Sequence, residues 1–306
     1  MKIAVVGSGI SGLSAAYYLS KKHHVDLFEK EDHFGGHSHT IDLNFGEKKV
    51  SVDIGFIVFN FQTYPNLIEF FKENKIEIEK SNMSFSVSVD NTNFEYCGKG
   101  LSGIFSNRLN LFNFKFLKMF FDIIKFYKKS DKETISENKL TLGEYLEKNN
   151  LSKPFIDYHI IPMVSAIWSM PPLAASKMPI SFFIKFFKNH GLFKLKNRRQ
   201  WYTVSNRSRT YVNQIISKIS GEYYKNYKVH KLKRKSSGID LYYGGQSDFF
   251  DYDKVVIATH ADEALELIDN PTDEEKKILS NFSYKENIAY IHTDDRAMPK
   301  NKRAWS

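Results

Sequence analysis

Residues 2–12, Lys2-Ile3-Ala4-Val5-Val6-Gly7-Ser8-Gly9-Ile10-Ser11-Gly12, decide how this chain is read. The run KIAVVG at 2–7 is short, apolar, rich in β-branched residues and closed by glycine, which predicts a buried strand. Ile10 to Lys22 predicts a helix with Ala15, Ala16 and Leu19 on an apolar face, and HVDLFE at 24–29 predicts a second strand. The pattern G-x-G-x-x-G therefore falls between a strand and a helix. There Gly7 permits the tight turn, Gly9 lets a pyrophosphate approach the backbone, and Gly12, helped by Ala16, lets helix and strand pack closely. A phosphate at this point meets the unpaired N–H groups and the positive dipole end of the helix. Glu29 follows Gly12 by 17 residues and ends the second strand, where a carboxylate can accept from ribose hydroxyls. Strand, glycines, helix, second strand and acid together point to a dinucleotide; a glycine-rich turn without a ligand is the competing reading.

Outward from this unit, Lys49–Phe59 and SFSVSV at 84–89 predict strands, and Pro65–Lys75 predicts a helix. Leu111–Lys129 predicts a long helix, Thr141–Asn149 a short one, and 155–170 another, closed by Pro171-Pro172. A Phe-rich segment covers Ile180–Lys188. From Tyr211 a helix leads into strands at Lys225–Lys233, Gly238–Tyr243 and KVVIAT at 254–259, then a helix at Asp262–Ile268. The fold class is α/β. A nucleotide-binding domain begins at 1–60, is interrupted by an inserted α+β substrate or cap domain at 61–210, and resumes at 211–306.

The 306 residues carry 44 Lys and Arg against 35 Asp and Glu, a net charge of +9. The basic residues are scattered and accompany an excess of Lys, Asn, Ile, Phe and Tyr, so codon bias explains them better than a nucleic-acid partner. Cys97 is the single cysteine, which excludes internal disulfides and CxxC chemistry. No export signal and no apolar run of 18 residues is visible, so a cytoplasmic protein is expected.

Instead of further regular βα units, Glu29 is followed by Asp32-His33-Phe34-Gly35-Gly36-His37-Ser38-His39-Thr40 and by Asp53-Ile54-Gly55-Phe56. This arrangement resembles the flavin-containing amine oxidase, protoporphyrinogen oxidase and phytoene desaturase superfamily. It is most similar to the bacterial group of NAD/FAD-binding, amine-oxidase-like proteins. The segments that carry the resemblance are GGHSHT, DIGFIVFN at 53–60, TYPNL at 63–67, AIWSMPP at 166–172, FFKNHGL at 186–192, RQWYTVSNRSRTYV at 199–212 and ATHADEAL at 258–265.

The resemblance implies a glutathione-reductase-like Rossmann domain, FAD as cofactor, and oxidation or desaturation of a small or lipid-like substrate. It implies diphosphate contacts from Ile10 and Ser11 and cofactor contacts from Glu29 and Lys30. Gly36 and His37 would line the diphosphate–ribityl stretch, with Gly55 and Phe56 beside the flavin ring. Val229 would meet the adenine through its backbone, and Ala258 and Thr259 would close the far side. Many relatives have Arg where His37 stands, which weakens charge pairing with phosphate. Relatives also continue about a hundred residues further, so a truncated chain with weak flavin retention is expected.

His190, Trp201 and Tyr202 are substrate-pocket candidates; the competing readings are a turn histidine with structural hydrogen bonds only and, for the aromatics, the core, where such residues more often lie. Arg198, Arg199, Arg207 and Arg209 read as a local basic cluster. His37 and His39 lack a third ligand with metal spacing, so no metal is expected. Phenylalanines at 112, 114, 116, 120, 121 and 126 among Lys115, Lys118 and Lys125 suit either a helix packed in the inserted domain or one lying on an anionic membrane surface. A flavin-binding, membrane-associated accessory protein without turnover, or a carotenoid or fatty-acyl desaturase or isomerase, remain the alternatives.

Overall fold

Lys2–Val6 forms β1, an inner strand of a four-stranded parallel sheet, in a computed structural model that describes residues 1–90, 92–132, 139–194, 198–245 and 248–305. Helix α1 (Ile10–Ser20) returns the chain to β2 (His24–Phe28), and the sheet order is Lys254–Ile257, β1, β2, Tyr223–Tyr224. All three pairings are parallel. Ile3, Ala4 and Val5 are all buried, which is why β1 reads as a continuous apolar run, while β2 buries Val25 and Leu27 on either side of Asp26, whose carboxylate accepts from Tyr252 Oη at 2.7 Å. On α1 the buried positions are Gly12, Leu13 and Ala16, with Ala15 and Leu19 only half-buried. The apolar face is thus rotated toward the glycine turn.

The chain forms two compact units. The first comprises Met1–Phe59, Pro65–Glu79 and Tyr202–Ala289, the second Asn60–Tyr64, Lys80–Trp201 and Tyr290–Ser306. Segments 65–79 and 202–210, read above as part of the insertion, cluster with the first unit, and 290–306 clusters with the second.

In the first unit, β3 (Thr40–Phe45) and β4 (Lys48–Asp53) form an antiparallel hairpin. The strand expected over 49–59 ends at Asp53 for a clear reason. Its carboxylate turns to accept from Ser208 N at 3.0 Å and from the Ser208 and Thr40 hydroxyls at 2.8 and 2.6 Å, satisfying the start of the helix Ser208–Ile216. A three-stranded antiparallel sheet, Val229–Arg234, Ile239–Tyr243 and Phe249–Tyr252, shares a core with β1 and β2 through Ala4, Val6, Phe28, Leu232, Leu241 and Tyr252.

The second unit is mainly helical, with a small ribbon of Ser86–Ser88 and Glu95–Cys97. The helix Phe114–Lys132 buries Phe116, Met119, Ile123, Phe126 and Tyr127; the residues before it, Arg108–Phe112, form a 3-10 turn instead. The Phe-rich segment is the helix Ile180–His190, stopped by Gly191 at φ 66°. Between Lys153–Phe155 and Ile161–Trp168 the chain makes a π turn, Ile156–Ile160, carrying the buried His159.

Tyr96 Oη donates to Tyr158 O at 2.8 Å, so the His159 Nδ1–H donates to Tyr96 Oη at 2.9 Å and Nε2 accepts from Tyr127 Oη at 3.0 Å. Burial, with Arg198 as a smaller influence, depresses the His159 pKa to about 3. The unfolded chain therefore takes up a proton here that the folded chain refuses, and stability falls as pH drops from the ordinary histidine range toward 3. The full gap corresponds to about 4–5 kcal/mol, with a limiting slope of about 1.4 kcal/mol per pH unit. His159→Leu should lower stability at pH 7, because the Tyr127 hydroxyl loses its nitrogen acceptor and Tyr96 Oη loses a donor, yet show a flatter decline between about pH 6 and 5. Denaturant titrations at stepped pH measure this; parallel profiles for the two proteins would refute it.

Candidate functional site

The three motif glycines do different work. Gly7 adopts φ 98°, and a Cβ there would stand 2.7 Å from Ala258 O; at Gly12 a Cβ would stand 1.8 Å from Gly7 O. Both are fixed by packing. At Gly9, by contrast, a Cβ would meet nothing within 4 Å. Gly9 is the extended N-cap of α1, no side chain caps the helix, and its first turn holds no acid. The first-turn N–H groups thus present a donor-rich, positive helix end beside open space.

A second glycine turn closes on the first. Gly36 has φ 56°, and a Cβ on it would lie 3.0 Å from Gly9 Cα. Ser8 ties the two turns to β2: Gly35 N donates to Ser8 Oγ at 3.1 Å, and both Ser8 N and Ser8 Oγ donate to Glu29 Oε2, at 3.0 and 2.5 Å. Glu31 N donates to Glu29 Oε1 at 3.1 Å. Ser8 was passed over in reading the sequence, since it occupies a variable position of the motif; its place between the two glycines was the only signal. Ser8→Ala should cost about 1–3 kcal/mol, because Gly35 N–H and the buried Glu29 carboxylate each lose a partner. Chemical denaturation measures the loss, and a change below about 0.5 kcal/mol would contradict this role.

His37, Gly55 and Phe56 adjoin one another. Phe56 N donates to His37 O at 2.7 Å, a Cβ on Gly55 would lie 2.1 Å from that same oxygen, and the Phe56 ring is parallel to Phe59 at 6.1 Å. Ala258 N donates to Val6 O at 2.8 Å, which sets Ala258 and Thr259 beside the Gly7 turn. Tyr227 N donates to Glu29 O at 2.9 Å, and Val229 follows as the buried first residue of its strand, with the register slipping between Val229 and Lys231. Lys30 is turned to Glu263, its ammonium 2.5 Å from Oε1, which raises its pKa. Gly7, Gly9, Ile10, Ser11, Gly12, Glu29, Gly36, His37, Gly55, Phe56, Ala258 and Thr259 thereby gather around the C-terminal ends of parallel strands, where open α/β sheets bind ligands.

In the second unit His190 stacks on Phe186 at 4.0 Å, lies parallel to Trp201 at 6.4 Å, and its Nδ1–H donates to Phe186 O. Tyr202 belongs to the first unit, where its backbone exchanges two hydrogen bonds with Phe59. The expected basic cluster does not form as one group. Arg198 donates to Gly98 O, Arg199 to Asn189 O, Arg207 to Ser51 O, and Arg209 makes a two-pronged pair with Asp42. Among the described residues no group of three His, Cys, Asp or Glu is placed to hold a metal; His39 instead stacks on His33 at 3.7 Å.

The family model described as NAD(P)-binding Rossmann-like domain matches residues 5–73. The 1-hydroxycarotenoid 3,4-desaturase of Flavobacterium sp. (strain P99-3) is 42% identical over 69 residues, 22% of this chain and 13% of that protein. Among solved structures, putrescine oxidase bound to putrescine aligns with TM-score 0.66 at 14% identity, over 92% of this chain and 63% of its own. The CLA-producing fatty acid isomerase from P. acnes aligns with TM-score 0.61 at 14% identity, over 91% and 63%. At these identities the structural likeness is one of fold, and the chain spans less than two thirds of the length of these relatives. The N-terminal segment is thus similar to NAD(P)-binding Rossmann-like domains, and the chain shares the fold of these solved structures.

Proposed function

We propose that the first unit binds FAD and that the whole protein is an FAD-dependent oxidoreductase acting on a small or lipid-like molecule. The observation that carries this reading is the open space at Gly9, bordered by the uncapped start of α1 and by the Gly36 turn. When bound, FAD would supply the acceptor for a hydride, at flavin N5, and so the redox chemistry. The chain's own residues bind and orient. The first-turn N–H groups of Ile10 and Ser11 hold the diphosphate charge. Glu29 already accepts three hydrogen bonds, and a carboxylate offers about four acceptor positions, so one remains on Oε1 for a ribose hydroxyl. Gly55 and Phe56, backed by Phe59, form a wall for the isoalloxazine ring, and Ala258 and Thr259 close the opposite side. Lys30 supports the rim through Glu263 rather than by touching the cofactor.

The carotenoid desaturase match and the fatty acid isomerase likeness support a long apolar substrate as a second reading beside an amine. The protein works at a membrane surface in this view, and among the described residues no helix is long and apolar enough to cross a membrane. Anaerobic mixing of the FAD-loaded protein with amine and long-chain unsaturated panels tests the activity. Bleaching of the long-wavelength flavin band by a member of either panel is expected; no bleaching by any would favour a flavin-binding accessory protein.

A further inference from the structure

The helix Phe114–Lys132 has one apolar face, which the fold buries, and an opposite face on which exposed phenylalanines alternate with lysines. Phe116, Met119, Ile123 and Phe126 are buried in the second unit. Phe114, Lys118, Phe121 and Lys125 are exposed and follow one another at spacings of four, three and four. At about 100° per residue the second set lies roughly opposite the first, on the face that a helix at a protein surface ordinarily gives to polar side chains. The 3-10 turn before it continues the pattern: Leu109 and Phe112 are exposed, and Phe112 and Phe114 leave 83% and 88% of their surface in solvent. No acidic residue occurs from 98 to 121, whereas Lys99, Arg108, Lys115 and Lys118 all do, and all four are exposed.

We propose that the corner made by Arg108–Phe112 and the first half of Phe114–Lys132 is a docking surface for an anionic lipid bilayer. The chemistry is complementary on both counts. Phenylalanine tips of this kind gain by entering the boundary between headgroups and acyl chains, and the adjacent cations are drawn to acidic headgroups. Phe112 and Phe114 project almost wholly into solvent, which suits insertion into a deformable lipid surface better than the close-packed contacts of a protein interface. This inference deepens the proposed membrane location and is independent of the flavin site.

The test is co-sedimentation of the full chain with vesicles of phosphatidylcholine alone and with about one third phosphatidylglycerol, at low and high salt. Binding is expected only with the anionic lipid and should weaken as salt rises. Phe112→Ser with Phe114→Ser, and separately Lys115→Glu with Lys118→Glu, should each weaken it by at least about tenfold with the thermal transition unchanged, since these side chains are exposed. Wild-type binding that neither pair alters would overturn this surface while leaving the membrane location standing. Failure of the wild type to bind at low salt would overturn both. Capture of an acidic polypeptide such as polyglutamate, without vesicle binding, would assign the corner to a protein partner instead.

Discussion

Gly9→Val is expected to abolish FAD binding while leaving the unfolding transition of the cofactor-free protein in place. The separation is possible because Gly9 already has an extended conformation, φ −60° and ψ 177°, open to any L-residue, and a Cβ there touches no protein atom within 4 Å. What a valine side chain would occupy is the volume over the first turn of α1, where a diphosphate must lie within reach of the N–H groups. Flavin fluorescence titration and a thermal melt of the same preparation check both halves. Loss of the fold together with the flavin would show that Gly9 is structural; retention of both would remove the diphosphate from this turn.

Gly12→Ala should do the opposite and unfold the first unit whether or not a cofactor is present. The new methyl carbon would fall 1.8 Å from Gly7 O and 3.4 Å from the Ala258 Cβ. Relief requires α1 to move off β1, which opens the packing of Leu13 and Ala16 over the sheet. Overpacking at a site that cannot yield costs on the order of 3 kcal/mol or more, a large share of the stability of most domains. A melt within a few degrees of wild type would show that the turn relaxes, and would contradict the packing role assigned to the third glycine.

The βαβ beginning of this chain was legible because its signals are local. β1, α1 and β2 each declare themselves within a dozen residues, and the glycines mark the positions where backbone meets backbone. The extent of β4 was not legible, because Asp53 leaves the strand to serve a helix start 155 residues away in sequence. The strand Phe249–Tyr252 was missed for a related reason: only Tyr252 is buried, and it joins a core built from β1 and β2. The arginines at 198–209 looked like a cluster because sequence spacing does not reveal that each reaches a different partner. Spacing likewise does not reveal that Lys30 pairs with Glu263, far along the chain. The phenylalanines of Phe114–Lys132 were ambiguous in sequence because they fall on both faces, and only the burial pattern separates the core face from the outer one.

Equilibrium titration of the purified chain with FAD and with NADH, alongside its Gly9→Val counterpart, decides whether the paired glycine turns at Gly9 and Gly36 hold FAD. Saturation with one FAD per chain, no comparable binding of NADH, and no FAD binding by the variant are expected. Tight NADH binding without flavin, or equal FAD binding by the two proteins, would show that these turns do not hold FAD.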